Sequence, residues 1–354
     1  MILVLSACGV QADNEVETAV LTAPPPTETV PPTETVPTVE PTVEQVATST
    51  PITPTQQPTS TATSEPTPTS APEIWQSLAK MSIPRSEMSA IVLNGRIYAP
   101  GGYANGFVKE FETTFEVYDI GSDQWSRLAD VPFPVNHYGW AEFDGSLYLF
   151  PDRKQPVLKY DPLMDSWTEL SVMPENRWAG TAVTVGEFIY YVGGAGGSNA
   201  LLRYDPQADS WTSLAELNQP REHLQAVTLN GEIFALGGRW QTGLKQVEIY
   251  SPEMDMWRRA PSMNQPRSGF GAAVWEGQIV VGGGELLSPL NIIDTVEIFD
   301  PATNRWQLAE FSLPNPLHGF PFVVENQDLY IVGGSGLAGD VSNRGQLYKY
   351  QPIR

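Results

Sequence analysis

Only one cysteine occurs in the 354 residues, at position 8, so no internal disulfide staples the chain. Histidine is nearly as scarce, at three. No apolar run reaches the roughly 18 residues that a membrane-crossing helix requires. Lys and Arg number 20 against 41 Asp and Glu. The resulting net charge of -21 repels nucleic acid and anionic membrane surfaces, and excludes both as direct partners. Residues 1–73 lack still more: they contain no Lys, Arg, Phe, Tyr or Trp, yet hold 13 of the 32 prolines. Such a stretch cannot bury enough apolar surface to offset the entropy of ordering it, and reads as disordered. All 13 Phe, 13 Tyr and 10 Trp lie beyond it, so the core must be built from residues 74–354.

The one cysteine has an informative setting. Residues 1–8 read Met-Ile-Leu-Val-Leu-Ser-Ala-Cys, and Leu-Ser-Ala-Cys after an apolar run resembles the lipobox of bacterial lipoproteins, in which the cysteine becomes the lipidated N-terminus. Only seven residues precede it and none is basic. Residues 9–73, with runs such as PPPTETVPPTETVPTVEPTVE, then form a Thr/Pro-rich stalk that would hold a domain away from a surface. The resemblance implies residues 1–8 as a signal remnant, lipidation at Cys8, membrane attachment through that lipid only, and display on the extracellular face of a bacterial cell membrane.

Beyond residue 73 the chain repeats itself. Tryptophans stand at 75, 125, 167, 211, 257 and 306. Ten residues after the first five come Arg85, Val135, Arg177, Arg221 and Arg267; Leu317 follows Trp306 by eleven. Sixteen residues further on lies a glycine pair, at 101–102, 193–194, 237–238, 283–284 and 333–334, with Pro151-Asp152 in the second unit. An aromatic precedes each later Trp by seven: Tyr118, Tyr160, Tyr204, Tyr250 and Phe299, with Tyr350 in the matching place at the end. A period of 42–50 residues indicates a propeller or solenoid. Within a unit, Gln225–Leu229, Glu232–Leu236, Val247–Tyr250 and the segment around Trp257 read as four short strands, the first two joined by the hairpin dipeptide Asn230-Gly231. Four antiparallel strands per unit make a propeller blade.

An apolar strand ending in Gly-Gly, then an aromatic, then a Trp at fixed spacing resembles the kelch repeat, six times over residues 74–352. The resemblance implies an all-β, six-bladed propeller. Six Trp slots are filled only if Trp75 is counted with the last unit, so an N-terminal strand is expected to pair with the C-terminal blade and seal the ring. Trp and Tyr are expected between blades, and the glycine pairs where backbones approach closely.

The distance from glycine pair to aromatic varies between 9 and 17 residues, so the variable loops gather on one face, where ligand binding is expected. Arg85, Arg177, Arg221 and Arg267 start the innermost strands on that face. They are candidates for carboxylate recognition, or else braces to loop carbonyls. Trp178, Arg239, Trp240 and Tyr103 are candidates for stacking on a sugar. His137 and His223 share a repeat position but fall two blades apart, too far for joint metal ligation in the expected ring. With no Cys in the domain, no metal site and no cofactor are expected; the copper oxidases that use kelch propellers need a Tyr–Cys and His set. No Ser/His/Asp grouping, P-loop or dinucleotide fingerprint appears. These features indicate a monomeric, non-catalytic binding scaffold for a protein or a carbohydrate. The alternative is an enzyme similar to the bacterial sialic-acid mutarotases, with the arginines on a sugar acid and Glu87 or Glu222 as acid/base.

Overall fold

The computed structural model describes residues 74–104, 110–152, 154–196, 199–336 and 345–351. The expected signal remnant, stalk and Cys8 lie outside these residues. The described chain is all β: six four-stranded antiparallel sheets, each one blade, with small hairpins between them. Blade 1 comprises Ile91–Leu93, Arg96–Pro100, Phe115–Asp119 and Gln124–Arg127. Blades 2 to 5 repeat that order, ending in the outer strands Ser166–Val172, Ser210–Glu216, Met256–Ala260 and Arg305–Ser312. Blade 6 takes Phe322–Glu325, Asp328–Val332 and Leu347–Tyr350 from the C-terminal end and Trp75–Ser77 from the start of the domain. Trp75 stands opposite Tyr350 in that sheet, so the ring is sealed as its repeat count requires.

In five of the six blades the first two strands turn so tightly because two consecutive residues adopt positive φ, the geometry of a type I′ hairpin. Asn94-Gly95, Asp144-Gly145, Asn230-Gly231 and Glu276-Gly277 all do so. Asn326-Gln327 does the same in blade 6 without a glycine. The third and fourth strands carry the aromatic pair in register: Tyr118 opposite Trp125, Tyr160 opposite Trp167, Tyr204 opposite Trp211, Tyr250 opposite Trp257 and Phe299 opposite Trp306.

Each indole reaches across to the neighbouring blade. Trp125, Trp167, Trp257 and Trp306 donate Nε1–H to the carbonyls of Ala79, Ala129, Ala215 and Pro261 at 2.8–2.9 Å, and Trp75 donates to Ser312. Four tyrosines add a second tie. Tyr118, Tyr160, Tyr204 and Tyr250 donate to Asp123, Asp165, Asp209 and Asp255, and each carboxylate also accepts a backbone N–H near the end of the neighbouring blade's outer strand.

The glycine pairs mark the closest approach of two blades. Gly102, Gly194, Gly238, Gly284 and Gly334 donate their N–H to the carbonyls of Val135, Arg221, Arg267, Leu317 and Arg85 on the adjoining blade. A Cβ on Gly333 would lie 2.6 Å from the Arg85 carbonyl oxygen, so no side chain fits there.

A ring of backbone hydrogen bonds closes the fold about its axis. Glu87 N–H donates to Gly319, Gly319 to Gly269, Gly269 to His223, His223 to Ala179, Ala179 to His137, and His137 back to Glu87, all at 2.7–3.1 Å. All six residues have φ between +49° and +62°. One residue from every blade takes part, so this girdle fixes both the number of blades and the shape of the axial opening.

Candidate functional site

Two phases of the repeat meet at the mouth of the propeller. The arginine phase leads into the blades. Arg85, Arg177, Arg221 and Arg267 are at most 1% exposed. Arg85 donates to the carbonyls of Ala99, Gly101 and Thr114 and pairs with Glu116 at 2.7 Å. Arg221 binds the Gly237 and Gln246 carbonyls and Glu248; Arg267 binds those of Gly283 and Thr295 and Glu297; Arg177 binds Gly193, Ala200 and Glu175. Each guanidinium thus satisfies carbonyls around the glycine pair of its own blade and is neutralised by a carboxylate there. The four groups do not converge on the mouth, where a bound carboxylate would have to meet them. They act as the carbonyl braces that were the other reading of the repeat.

Two residues further along, the girdle phase points to the axis, and here the blades differ: Glu87, His137, Ala179, His223, Gly269 and Gly319. The expectation that two blades would hold His137 and His223 apart is overturned. Their ring centroids are 4.8 Å apart, and donor atoms of Glu87, His137 and His223 all lie within 4.8 Å of one another. The reason is geometric. In a hexagonal ring a vertex is as close to the centre as to its neighbour, so side chains turned inward from alternate blades meet.

Residues one position earlier and those just after the glycine pairs complete the site. Isolated bridges hold Glu222 against Arg239, Ser268 against Glu285 and His318 against Ser335. Arg239 reaches three partners: Nε to Glu222 at 2.8 Å, Nη1 to Glu285 at 3.0 Å, and Nη2 to His223 Nε2 at 3.2 Å. The Glu87 carboxylate lies 3.2 Å from His137 Nε2 and 3.1 Å from His318 Nδ1. His318 Nδ1 also lies 3.4 Å from Glu285. A cavity of about 70 Å³ is lined by Glu87, His137 and His223 and, further along the innermost strands, by Ser89, Thr181 and Gln225.

The electrostatics follow from crowding. Burial opposes ionisation of Glu87, but His137 and His318 outweigh it and hold the carboxyl well below the usual carboxylate range. Burial likewise works against Glu222, yet His223 and Arg239 bring it down to about 2. The His223 imidazole is pushed down by burial, only partly offset by Glu222. The cluster therefore holds charged carboxylates beside an imidazole kept basic-poor, a set able to bind hydroxyl groups and to accept or give protons.

Of the residues singled out in the sequence, Arg239, Glu87 and Glu222 belong to this cluster. Trp178 and Trp240 stand near it, 39% and 41% exposed. Tyr103 is buried, packed edge-on against His137 with centroids 5.3 Å apart, so its ring supports the histidine rather than offering a stacking face. His137, His223, His318 and Glu285 were not among the candidates. Counting twelve residues on from each Trp would have picked out Glu87, His137, His223 and, because the last unit is one residue longer there, His318; nothing in the spacing distinguishes Glu285.

The Kelch motif matches residues 84–132, 220–264 and 266–309. The chain carries kelch repeats. Beta-scruin of Limulus polyphemus is 33% identical over 34% of this chain and 14% of its own length. The Kelch-like protein terF of Aspergillus terreus is 30% identical over 37% of this chain and 33% of its own. A Kelch repeat and BTB domain-containing protein of Vaccinia virus, A55, is 30% identical over 27% of this chain and 18% of its own. The aligned kelch segments thus span a third or less of these curated relatives. A solved structure of YjhT superposes with a TM-score of 0.65 at 17% identity, covering 77% of this chain and 95% of that one, which is a likeness of fold.

Proposed function

We propose that this kelch propeller binds a carbohydrate, a free sugar or the end of a glycan, at the mouth of its axis. The observation that carries the reading is the inward-facing cluster of Glu87, His137, His223, Glu222 and Arg239, flanked by two exposed indoles, Trp178 and Trp240. Sugars present hydroxyl groups in several directions and an apolar C–H face. Carboxylates, imidazoles and a guanidinium serve the first, and an indole face serves the second. Concavity with a few convergent polar groups is the usual form of such a site.

The test is a glycan array probed with the full chain and with Trp178→Ala and Trp240→Ala. Retention of a defined subset of glycans, weakened about tenfold or more by either substitution, supports the reading. An array without signal, together with capture of a protein partner that survives both substitutions, overturns it.

The contact between Glu87 and His137 favours a second reading, sugar-acid processing of the mutarotase type, in which this pair exchanges the proton of a ring-opening hydroxyl. Arg239 is then the candidate for the sugar carboxylate, in place of the four buried arginines. Proton NMR of anomer equilibration, with and without protein, distinguishes a catalyst from a binder. Attachment through Cys8 and display on a bacterial cell surface remain part of the proposal; Cys8→Ser would release the protein from the membrane fraction.

A further inference from the structure

We propose that Glu87, His137 and His223 form a binding site for one divalent transition-metal ion of the zinc or cobalt class on the propeller axis. Three independent features of the structure support it.

The first is placement. The three residues occupy three of the six girdle positions, where the closed hydrogen-bond ring fixes the backbone. The other three positions, Ala179, Gly269 and Gly319, project nothing larger than a methyl group. A metal bound by one carboxylate and two imidazoles there keeps a coordination position open to solvent or ligand, the arrangement of a reactive rather than a purely structural zinc. Ligands about 2.1 Å from a tetrahedral zinc lie about 3.4 Å from one another. The donor atoms here lie within 4.8 Å of one another and Glu87 and His137 already stand at 3.2 Å, so the separations left to close are those to His223.

The second feature is the orientation of the imidazoles. His137 Nδ1 lies 2.5 Å from Asn136 Oδ1, an oxygen that only accepts, so this nitrogen carries a proton, and Nε2 is turned to Glu87 at 3.2 Å, where a metal ion would take the place of the proton the two groups share. His223 Nδ1 faces Glu222 at 3.5 Å, leaving its Nε2 toward the Arg239 guanidinium. In His137 the outer nitrogen is held by an oxygen acceptor while the other faces inward, which is how ligating histidines are aimed; in His223 a carboxylate stands on the outer side without a hydrogen bond to the ring.

The third feature is charge. Glu87, Glu222 and Glu285 face one guanidinium and three imidazoles among the described residues of the cluster, so with the imidazoles neutral, as ligation requires, the cluster carries an excess of negative charge that attracts a cation. Two imidazoles in the donor set favour zinc, cobalt or nickel over calcium and magnesium, which prefer oxygen donors.

The competing account is an ion-pair network centred on Arg239. The two make opposite predictions for that residue. Nη2 of Arg239 occupies the approach to His223 Nε2, while Nε and Nη1 are held by Glu222 and Glu285. Metal binding requires Nη2 to withdraw, so the arginine is a rival of the ion.

The experiment titrates Co²⁺ and Zn²⁺ into the full chain after chelator treatment, read by calorimetry and by the visible absorption of bound Co²⁺. The expected result is one equivalent bound. His137→Asn and His223→Asn, chosen because Asn tolerates the positive φ of these positions, are each expected to weaken binding about 100-fold, and Glu87→Gln likewise. Asn136→Ala weakens it about tenfold, in the range usual for a group that orients a ligand. Arg239→Gln strengthens it. Circular dichroism melts verify that each variant is folded. Uptake by the wild type no greater than by the His137→Asn/His223→Asn pair overturns the proposal, as does loss of uptake in a folded Arg239→Gln protein. Neither readout depends on a carbohydrate, so a failure here leaves the glycan reading standing.

Discussion

The arginine phase and the girdle phase lie two residues apart in every repeat, yet they obey different rules. Four of six blades have the same residue at the first, and in all four it is buried and bonded to its own blade. At the second, the residues are Glu, His, Ala, His, Gly and Gly, and they face one another across the axis. A position that recurs solves a problem that every blade has, here the unsatisfied carbonyls around the glycine pair. A ligand is met once, at the centre, so its site is made from what does not recur.

That contrast can be broken most severely at Arg267. Its carboxylate partner Glu297 is wholly buried, so Arg267→Ala strands a charge and is expected to cost about 3–5 kcal/mol, read as a lower urea midpoint. Arg267→Met with Glu297→Leu should recover most of the loss, since burying neither charge avoids both desolvation penalties. A loss of ligand binding with unchanged stability would instead place this arginine at the mouth. Gly333→Ala comes next. Its φ of +63° and the 2.6 Å approach to the Arg85 carbonyl predict a loss of about 1–3 kcal/mol in the same assay. Trp167→Phe removes one interblade hydrogen bond while keeping an aromatic ring, and should cost about 1 kcal/mol.

Acid gives a smaller effect with a definite sign. A backbone N–H from Ala79 and the Tyr118 hydroxyl lower the Asp123 carboxyl. At Asp209 burial raises the carboxyl, but the Tyr204 hydroxyl and Ser171 outweigh it, so this one is lowered too. A carboxyl that is more acidic in the folded than in the unfolded chain adds stability above the unfolded value near 4, and that stability fades as pH falls through the folded value. The urea midpoint should therefore drop between pH 5 and pH 3, and Asp123→Asn should flatten the drop. The smallest prediction reverses sign. Ala179 holds a φ of +55° that glycine adopts without strain, so Ala179→Gly should stabilise by up to about 1 kcal/mol. The corresponding exchange at an ordinary strand residue would do the opposite.

How much of this was legible in the sequence divides along the same line. The Trp, aromatic and glycine-pair spacings encode contacts that every blade repeats, so they predict the blade count and the sealing of the ring by Trp75. The turn dipeptides Asn94-Gly95 and Asn230-Gly231 state their own geometry. The small hairpins Arg239–Trp240 with Thr242–Gly243, and Glu285–Leu287 with Leu290–Ile292, were not anticipated, because they belong to single loops and have no counterpart to align. The histidines were misjudged for a related reason. His137 and His223 are 86 residues apart in the chain, and only closure of the ring brings them together. His318 and Glu285 join them from one position before the girdle and one after a glycine pair, the same two phases that supply Glu222 and Arg239 from the fourth unit, but with a different residue type in each unit.

The pairing of Trp75–Ser77 with Leu347–Tyr350 has a consequence for synthesis. On the ribosome, the strand that emerges first from this domain is the last to find its place, since the residues it must pair with are made 271–275 residues later. At about 5–20 residues per second that is a wait of roughly 15–55 s, during which the nascent propeller is an open arc with exposed sheet at both ends. Chaperone dependence should accordingly concentrate in that interval, and a circular permutant that begins at a blade boundary would shorten it.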